Sequence, residues 1–391
     1  MTTRFGKFAR YLGLVIAITI GWLGYVEAVC YARLWVANPA TDLISRERLK
    51  HVYQNADWVD AYADEWAPSN FYSYASYIAW ERRPFSGKAI NIDANNMRLT
   101  AHSHCEDKDA FTIWMFGGST VWGAGVPDWL TVPSQLAEMY EKDGRNVCVR
   151  NYAQDAYVDS QEVVQLTLEL KKTDHRKPDI VIFYDGPGDV YETYQSGKAG
   201  EHQNFHSMSN EFEKRSAPGS GNFQYLMSTN TARVLFLSGQ QSHMEGPKNP
   251  SFIAEETIRN YKDNVRFVQA LSREYGFVPA FFWQPDISLG KKHLTKEEQI
   301  AADAARQRSP KLDEANQAAY ALIEADCSAP LFCIADAFDQ ADGTIYFDNA
   351  HVDAEGNRLI AKKMYDALHA QPAAATSMAC TSGTGSPTTL K

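Results

Sequence analysis

The sequence is short of positive charge. Lysine and arginine number 38 against 48 aspartates and glutamates, a formal balance of −10 over 391 residues. A nucleic-acid binder would carry a basic patch or stripe, so the balance argues against that class. No internal repeat runs along the chain, which argues against solenoids and propellers. Cysteine is sparse, with six in all. Cys30 lies in or beside an apolar N-terminal run and Cys380 lies in a polar tail, leaving Cys105, Cys148, Cys327 and Cys333. In an exported chain these allow two disulfides with three possible connectivities. Spacing favours Cys327 with Cys333, closing the loop "CSAPLFC", and Cys105 with Cys148, tying the starts of two expected strands.

Acid is absent from the first 26 residues, which carry Arg4, Lys7 and Arg10. The remainder therefore stands at 35 − 48 = −13. "YLGLVIAITIGWLGYV", Tyr11 to Val26, holds no charge, and beyond Glu27 the chain stays apolar through "AVCYARLWVA". Tolerating Glu27 near the far interface gives a run long enough to span a bilayer. Trp22, Tyr25, Tyr31 and Trp35 suit an interfacial aromatic belt, and the leading basic residues place the N-terminus in the cytoplasm. A cleaved signal peptide is the rival, but no small-x-small site follows the run. The expectation is a cytoplasmic stub at 1–10 and a single transmembrane anchor at 11–35 in the inner membrane. The rest lies outside the cytoplasm, in the periplasm: an extension at 36–110, an α/β domain at 111–370 and a disordered tail at 371–391.

From Phe111 apolar strands alternate with helical stretches. "FTIWMFG", "NVCVRNYA", "PDIVIFYDG", "FVPAFFWQP" and "LFCIADAF" read as strands. "TVPSQLAEMYEKDG", "DSQEVVQLTLELKKTD", "IAEETIRNYKDNVRFVQALSREYG", "PKLDEANQAAYALIEAD" and "DAEGNRLIAKKMYDALHA" read as helices. This alternation implies a parallel sheet covered on both faces. Residues 195–222 break the rhythm with a polar, Gly- and Ser-rich insert too long for an ordinary connection, read as a lid, a binding loop or a mobile insert.

"FGGSTVWG" puts Ser119 just past the first strand, where ligands bind in an open parallel sheet. Taken alone it is a nucleophile or a hydroxyl in a glycine turn. "DNAH" places Asp348 three residues before His351, entering the last helix. A serine hydrolase needs a nucleophile, a base to take its proton and an acid to orient the base, and these residues are of those types. Asp185 and Asp189 flank another strand end and either orient the site or cap a helix. Trp122 and Trp129 either line an acyl or sugar pocket or lie in the core. "HSHC", with His102 and Cys105, and "HQNFH", with His202 and His206, are the zinc candidates. Export and a disulfide at Cys105 argue against a metal.

On "FGGSTVWG" and "DNAH" the chain resembles the SGNH, or GDSL-type, hydrolases, esterases and acyltransferases of a three-layer α/β/α fold. The resemblance implies Ser119 as nucleophile, His351 as base and Asp348 as its orienter, with no cofactor. It implies backbone oxyanion donors at Ser119 and, in "NYAQDAYVDSQE", at Ala156, where the family usually has glycine. The family's third pattern, G-x-N-D, meets "DGPGDV": Gly186 and Asp189 match, and Gly188 stands in place of the asparagine. Losing one such side-chain donor typically costs about 10²–10³ in rate. A backbone N–H of this turn, such as that of Gly188, or an asparagine of the insert would have to substitute. "NIDANNMRLT", "GVPD" and "FFWQPDISLGKKHLTKEE" look like a membrane-anchored bacterial subgroup, and the resemblance implies acyl, above all acetyl, esters of envelope or exopolysaccharide glycans. Two alternatives stand: a catalytically weak SGNH-fold protein that binds a glycan or partner, and a lipase or thioesterase of the same fold.

Overall fold

The computed structural model describes residues 2–36, 45–54, 56–173, 176–216, 229–232, 234 and 249–370. They fall into two compact units: residues 1–42 with 204–244, and residues 43–203 with 245–391. The expected tail at 371–391 and part of the insert, 217–222, lie outside the described residues.

In the smaller unit one helix runs Thr2–Val36, beyond the expected 11–35. Its stretch Gly6–Arg33 is long and apolar enough to cross a membrane. Trp22, Tyr25 and Tyr31 are exposed on it. Glu27 is not left bare. Its carboxylate accepts from the backbone N–H groups of Asn230 and Thr231 and from the Thr231 hydroxyl. These residues open a short helical turn, Asn230–Ala232, whose first N–H groups lack partners of their own. The expected polar insert contains a helix, Phe205–Ser216.

In the larger unit, elements are numbered in chain order. Helices α1 (Arg46–Val52) and α2 (Val59–Ser69) precede two small hairpins, β1 (Tyr72–Ala75) with β2 (Ala79–Arg82), and β3 (Phe85–Ser86) with β4 (Asn91–Ile92). The α/β part follows as β5 (Phe111–Gly117), α3 (Ser119–Trp122), α4 (Val132–Lys142), β6 (Val147–Asn151), α5 (Asp159–Lys171), β7 (Ile180–Asp185) and α6 (Pro187–Ser196). It continues with α7 (Pro250–Tyr275), β8 (Val278–Trp283), α8 (Lys296–Arg308), α9 (Leu312–Glu324), β9 (Leu331–Cys333) and α10 (Ala354–His369).

The central sheet has five parallel strands in the order β6-β5-β7-β8-β9. Every residue of β5 and β7 is buried, as expected of strands covered on both faces. Alternate side chains serve the two layers. Ile113, Met115, Ile182 and Phe282 join a core with Leu136 and Met364. On the opposite face Phe116, Phe183 and Phe281 stack in a row, with ring centroids 5.3 Å apart at each step.

Residues of the 36–110 extension pack into the core of the larger unit. Leu49, Val59, Tyr62, Ile90 and Ile92 are buried in the same core cluster. Arg98 bridges Ile92 on one side and Asn151 of β6 on the other. Helix α8 carries a sequence signal that the strand-by-strand reading passed over: Thr295 and Glu298 form a reciprocal capping box at its start.

Candidate active site

The turn that carries Ser119 is built by crowding. A side chain on Gly117 would collide with Val121, so the strand must end in glycine. Gly118 is extended and caps α3, and Gly123 closes it with φ +95°, a left-handed conformation natural to glycine. Ser119 is thus the first residue of a helix at the carboxyl end of a central strand. Its N–H has no acceptor within the helix.

Ser119 Oγ lies 2.7 Å from His351 Nε2. His351 Nδ1 lies 2.8 Å from Asp348 Oδ2. The other carboxylate oxygen, Oδ1, accepts from the backbone N–H of His351 at 2.7 Å and of Ala350 at 2.8 Å. The turn entering α10 therefore fixes the acid with three hydrogen bonds, and the acid fixes the ring. With the Nδ1 proton held by Asp348, Nε2 is the acceptor for the serine hydroxyl. Burial by itself would raise the Asp348 carboxyl. The His351 charge and the hydrogen bonds from its ring and from the backbone outweigh burial and hold the carboxyl at about 2. Burial opposes protonation of His351. The charge and hydrogen bond of Asp348, with the Asp155 carboxylate adding, nevertheless raise its pKa above the usual value.

Two arginines that sequence reasoning passed over brace the neighbouring turns. Arg98, 2% exposed, pairs with Asp128 at 2.9 Å and donates to the carbonyls of Trp122, Gly123 and Val126. It holds the loop that leaves Ser119. Arg82, 1% exposed, pairs with Asp155 and donates to Ser69 O. Tyr72 also donates to Asp155, at 2.8 Å. Between them the two guanidiniums enclose the Trp122 ring, at 3.8 Å and 4.2 Å from its centroid. Trp122 is fully buried, so of its two readings, pocket lining or core, it takes the core one, at the centre of this clamp. Trp129 is 38% exposed.

The candidate oxyanion donors lie at or beyond the ends of other strands. Ala156, next to the braced Asp155, has φ +61°, a left-handed conformation that costs a non-glycine residue. Gly188 is the second residue of α6, and a side chain there would meet only open space. Gln284, just past β8, is buried. Its Oε1 accepts from the hydroxyl of Thr120, the residue after Ser119, at 3.0 Å. Its Nε2 meets no acceptor among the described residues. Sequence reading missed Gln284, though "FFWQP" ends a strand in the same way as "FGGS".

Asp189 is a cap. Its Oδ1 accepts from Asp159 N at 2.9 Å and its Oδ2 from Gly186 N at 3.1 Å, tying the starts of α5 and α6. Asp185 lies against Glu162, with no cation beside them among the described residues. Burial, then the negative charges of Asp159 on Asp185 and of Asp185 on Glu162, push both carboxyls well up. Cys105 is bonded to Cys148, and Cys327 to Cys333. His102 and His104 face Glu141, while His202 packs on Trp80. Among the described residues no group of three or more His, Cys, Asp or Glu is placed to hold a metal.

No family model and no curated protein matches the chain. The chain is similar to solved lipolytic proteins of the G-D-S-L type. One, from Veillonella parvula, is 12% identical with a TM-score of 0.38, and the match covers 67% of this chain and 100% of that one. A psychrotrophic esterase from a Pseudoalteromonas species is 13% identical with a TM-score of 0.35, covering 66% of this chain and 97% of its own. An acetyl xylan esterase is 15% identical with a TM-score of 0.34, covering 66% and 98%. Likeness at this level does not bear on the reaction, which rests on the side-chain geometry above.

Proposed function

We propose that the chain is a serine esterase or acyltransferase of the SGNH type, with Ser119, His351 and Asp348 as its triad. The observation that carries this is the unbroken relay from the Ser119 hydroxyl through His351 to Asp348, at 2.7 Å and 2.8 Å. Ser119 Oγ attacks the ester carbonyl carbon as His351 Nε2 takes its proton. The tetrahedral intermediate puts its negative charge on the former carbonyl oxygen. The backbone N–H groups of Ser119, Ala156 and Gly188 receive it, and Gln284 Nε2 supplies the side-chain donor that Gly188 lacks. His351 returns the proton to the departing alcohol and leaves an acyl-serine. Attack by water completes hydrolysis, whereas attack by a sugar hydroxyl completes transfer.

The substrate class is a short acyl ester, above all acetyl, on an envelope glycan. The N-terminal helix anchors the chain in the inner membrane, with the larger unit on the periplasmic side, as Arg4, Lys7 and Arg10 before the apolar run support. The lipase alternative lacks an extended apolar lid in the sequence.

A fluorophosphonate probe tests the reading. Wild type labels and Ser119→Ala does not. Gly188 favours one rival, a glycan-binding protein with little catalysis. Absence of labelling with glycan binding retained replaces the esterase reading with that one. A panel of p-nitrophenyl esters is expected to favour acetyl, and a preference for long chains makes the protein a lipase.

A further inference from the structure

A cleft of about 600 Å³ lies between α1, α8 and the segment leading to Asp348. That volume is within the range of small-ligand sites, about 300–1,000 Å³. Neither Ser119 nor His351 lines it, but Tyr346, Phe347 and Asp348 form one wall, so it backs onto the strip of chain that carries the acid of the triad. Its character is unusual for a chain of net charge −10. Arg48, His51 and Arg308 all reach it. Arg48 spends one N–H on the Phe347 carbonyl. Arg308 and His51 form no ion pair with any described carboxylate. Two acids share the lining. Asp348 is committed to His351 and two backbone N–H groups. Glu297 is exposed at the start of α8. The α8 wall is apolar: Ile300 and Ala304, four residues apart on one helix face, stand beside the cations, and Ile300 is 61% exposed.

Cations beside an apolar ledge fit a ligand with an anionic group on one edge and a C–H face on the other. We propose that the cleft seats an acidic sugar unit, a uronate, of a glycan chain. Its carboxylate faces Arg308 and Arg48, and its ring lies on Ile300 and Ala304. An arginine guanidinium is suited to the carboxylate because its N–H groups match the two oxygens. This rests on the esterase reading and narrows it: the glycan carrying the ester is acidic rather than neutral.

Calorimetric titration of the full-length Ser119→Ala chain in detergent tests the site without using catalysis. Failure of the triad therefore leaves the binding result untouched, and failure of binding leaves fluorophosphonate labelling untouched. Digalacturonate is expected to bind at least tenfold more tightly than neutral xylobiose, with affinity falling as salt is raised. Arg308→Glu, an exposed position that does not threaten folding, weakens digalacturonate at least tenfold, the loss of one charge-assisted contact. Ile300→Gln weakens it less. Equal affinity for the two sugars overturns the proposal, as does digalacturonate binding indifferent to Arg308→Glu. Binding of inorganic phosphate without binding of digalacturonate also overturns it, and assigns the cations to a phosphorylated ligand.

Discussion

The two halves of the proposed site are built on different plans. On one side His351 and Asp348 are locked by short hydrogen bonds within a single turn, and every donor and acceptor is a side chain or backbone group three residues away or fewer. On the other side the groups that would receive negative charge come from three separate strand ends: Ala156 after β6, Gly188 after β7 and Gln284 after β8. The proton-moving half is local and pre-set. The charge-receiving half is assembled from afar, and one of its members sits in a strained conformation. On the proposed reading, activation of Ser119 is therefore robust to distant change, whereas stabilisation of the oxyanion depends on how accurately the sheet aligns its ends.

The largest break is expected on the local side. Ser119→Ala should lower kcat on an acetyl ester by a factor on the order of 10⁶, measured beside the loss of probe labelling. Asp348→Asn should lower it by roughly 10⁴ through the wrong histidine tautomer. It should also move the acid limb of kcat/KM. Activity requires neutral His351, so the rate rises with pH through a value above the usual histidine one, and removing Asp348 shifts that inflection down. Stability follows the same pair. The raised His351 contributes fully below about 6.5 and fades as pH climbs through its folded pKa. The depressed Asp348 contributes fully above its unfolded value of about 3.8 and fades as pH falls through about 2. The Tm gap between wild type and Asp348→Asn should therefore be widest between about pH 4 and about pH 6.5.

On the assembled side the effects are smaller. Gln284→Ala should cost about 10²–10³ in kcat with KM nearly held, whereas Thr120→Val, which removes only the hydroxyl that orients the amide, should cost much less. Because Gly188 faces open space, Gly188→Asn in the Gln284→Ala background should recover at least tenfold. No recovery, together with a large Thr120→Val effect, would make Gln284 a brace rather than a donor. The smallest change is Ala156→Gly. Relief of its left-handed conformation, set against the flexibility that glycine adds to the unfolded chain, should raise stability by no more than about 1 kcal/mol, read from denaturant midpoints.

The same contrast explains what the sequence disclosed. Strand and helix alternation, the Ser119 turn and Asp348 beside His351 depend on short-range pattern, and each is visible as a contiguous string. Gln284, Arg82, Arg98 and the role of Asp155 depend on which strand ends become neighbours, and no spacing rule links residue 82 to 155 or 120 to 284. Trp122 shows the same limit: the string leaves it between pocket and core, and the two arginines of the 36–110 extension that pack on its ring emerge only in the fold. Asp189 likewise reads as a candidate beside a strand end, and its place between two helix starts emerges only once α5 and α6 are brought together.

The arginine clamp has a practical consequence for where this chain can be cut. A fragment begun at Phe111, the first residue of the sheet, would contain the whole proposed triad and still lose both arginines. It would bare the Trp122 ring and abandon the carbonyls of Trp122, Gly123 and Val126 that Arg98 serves. A soluble version freed of its N-terminal helix should therefore begin ahead of Arg46, so that α1, α2 and both hairpins travel with the sheet whose reactive edge they hold in shape.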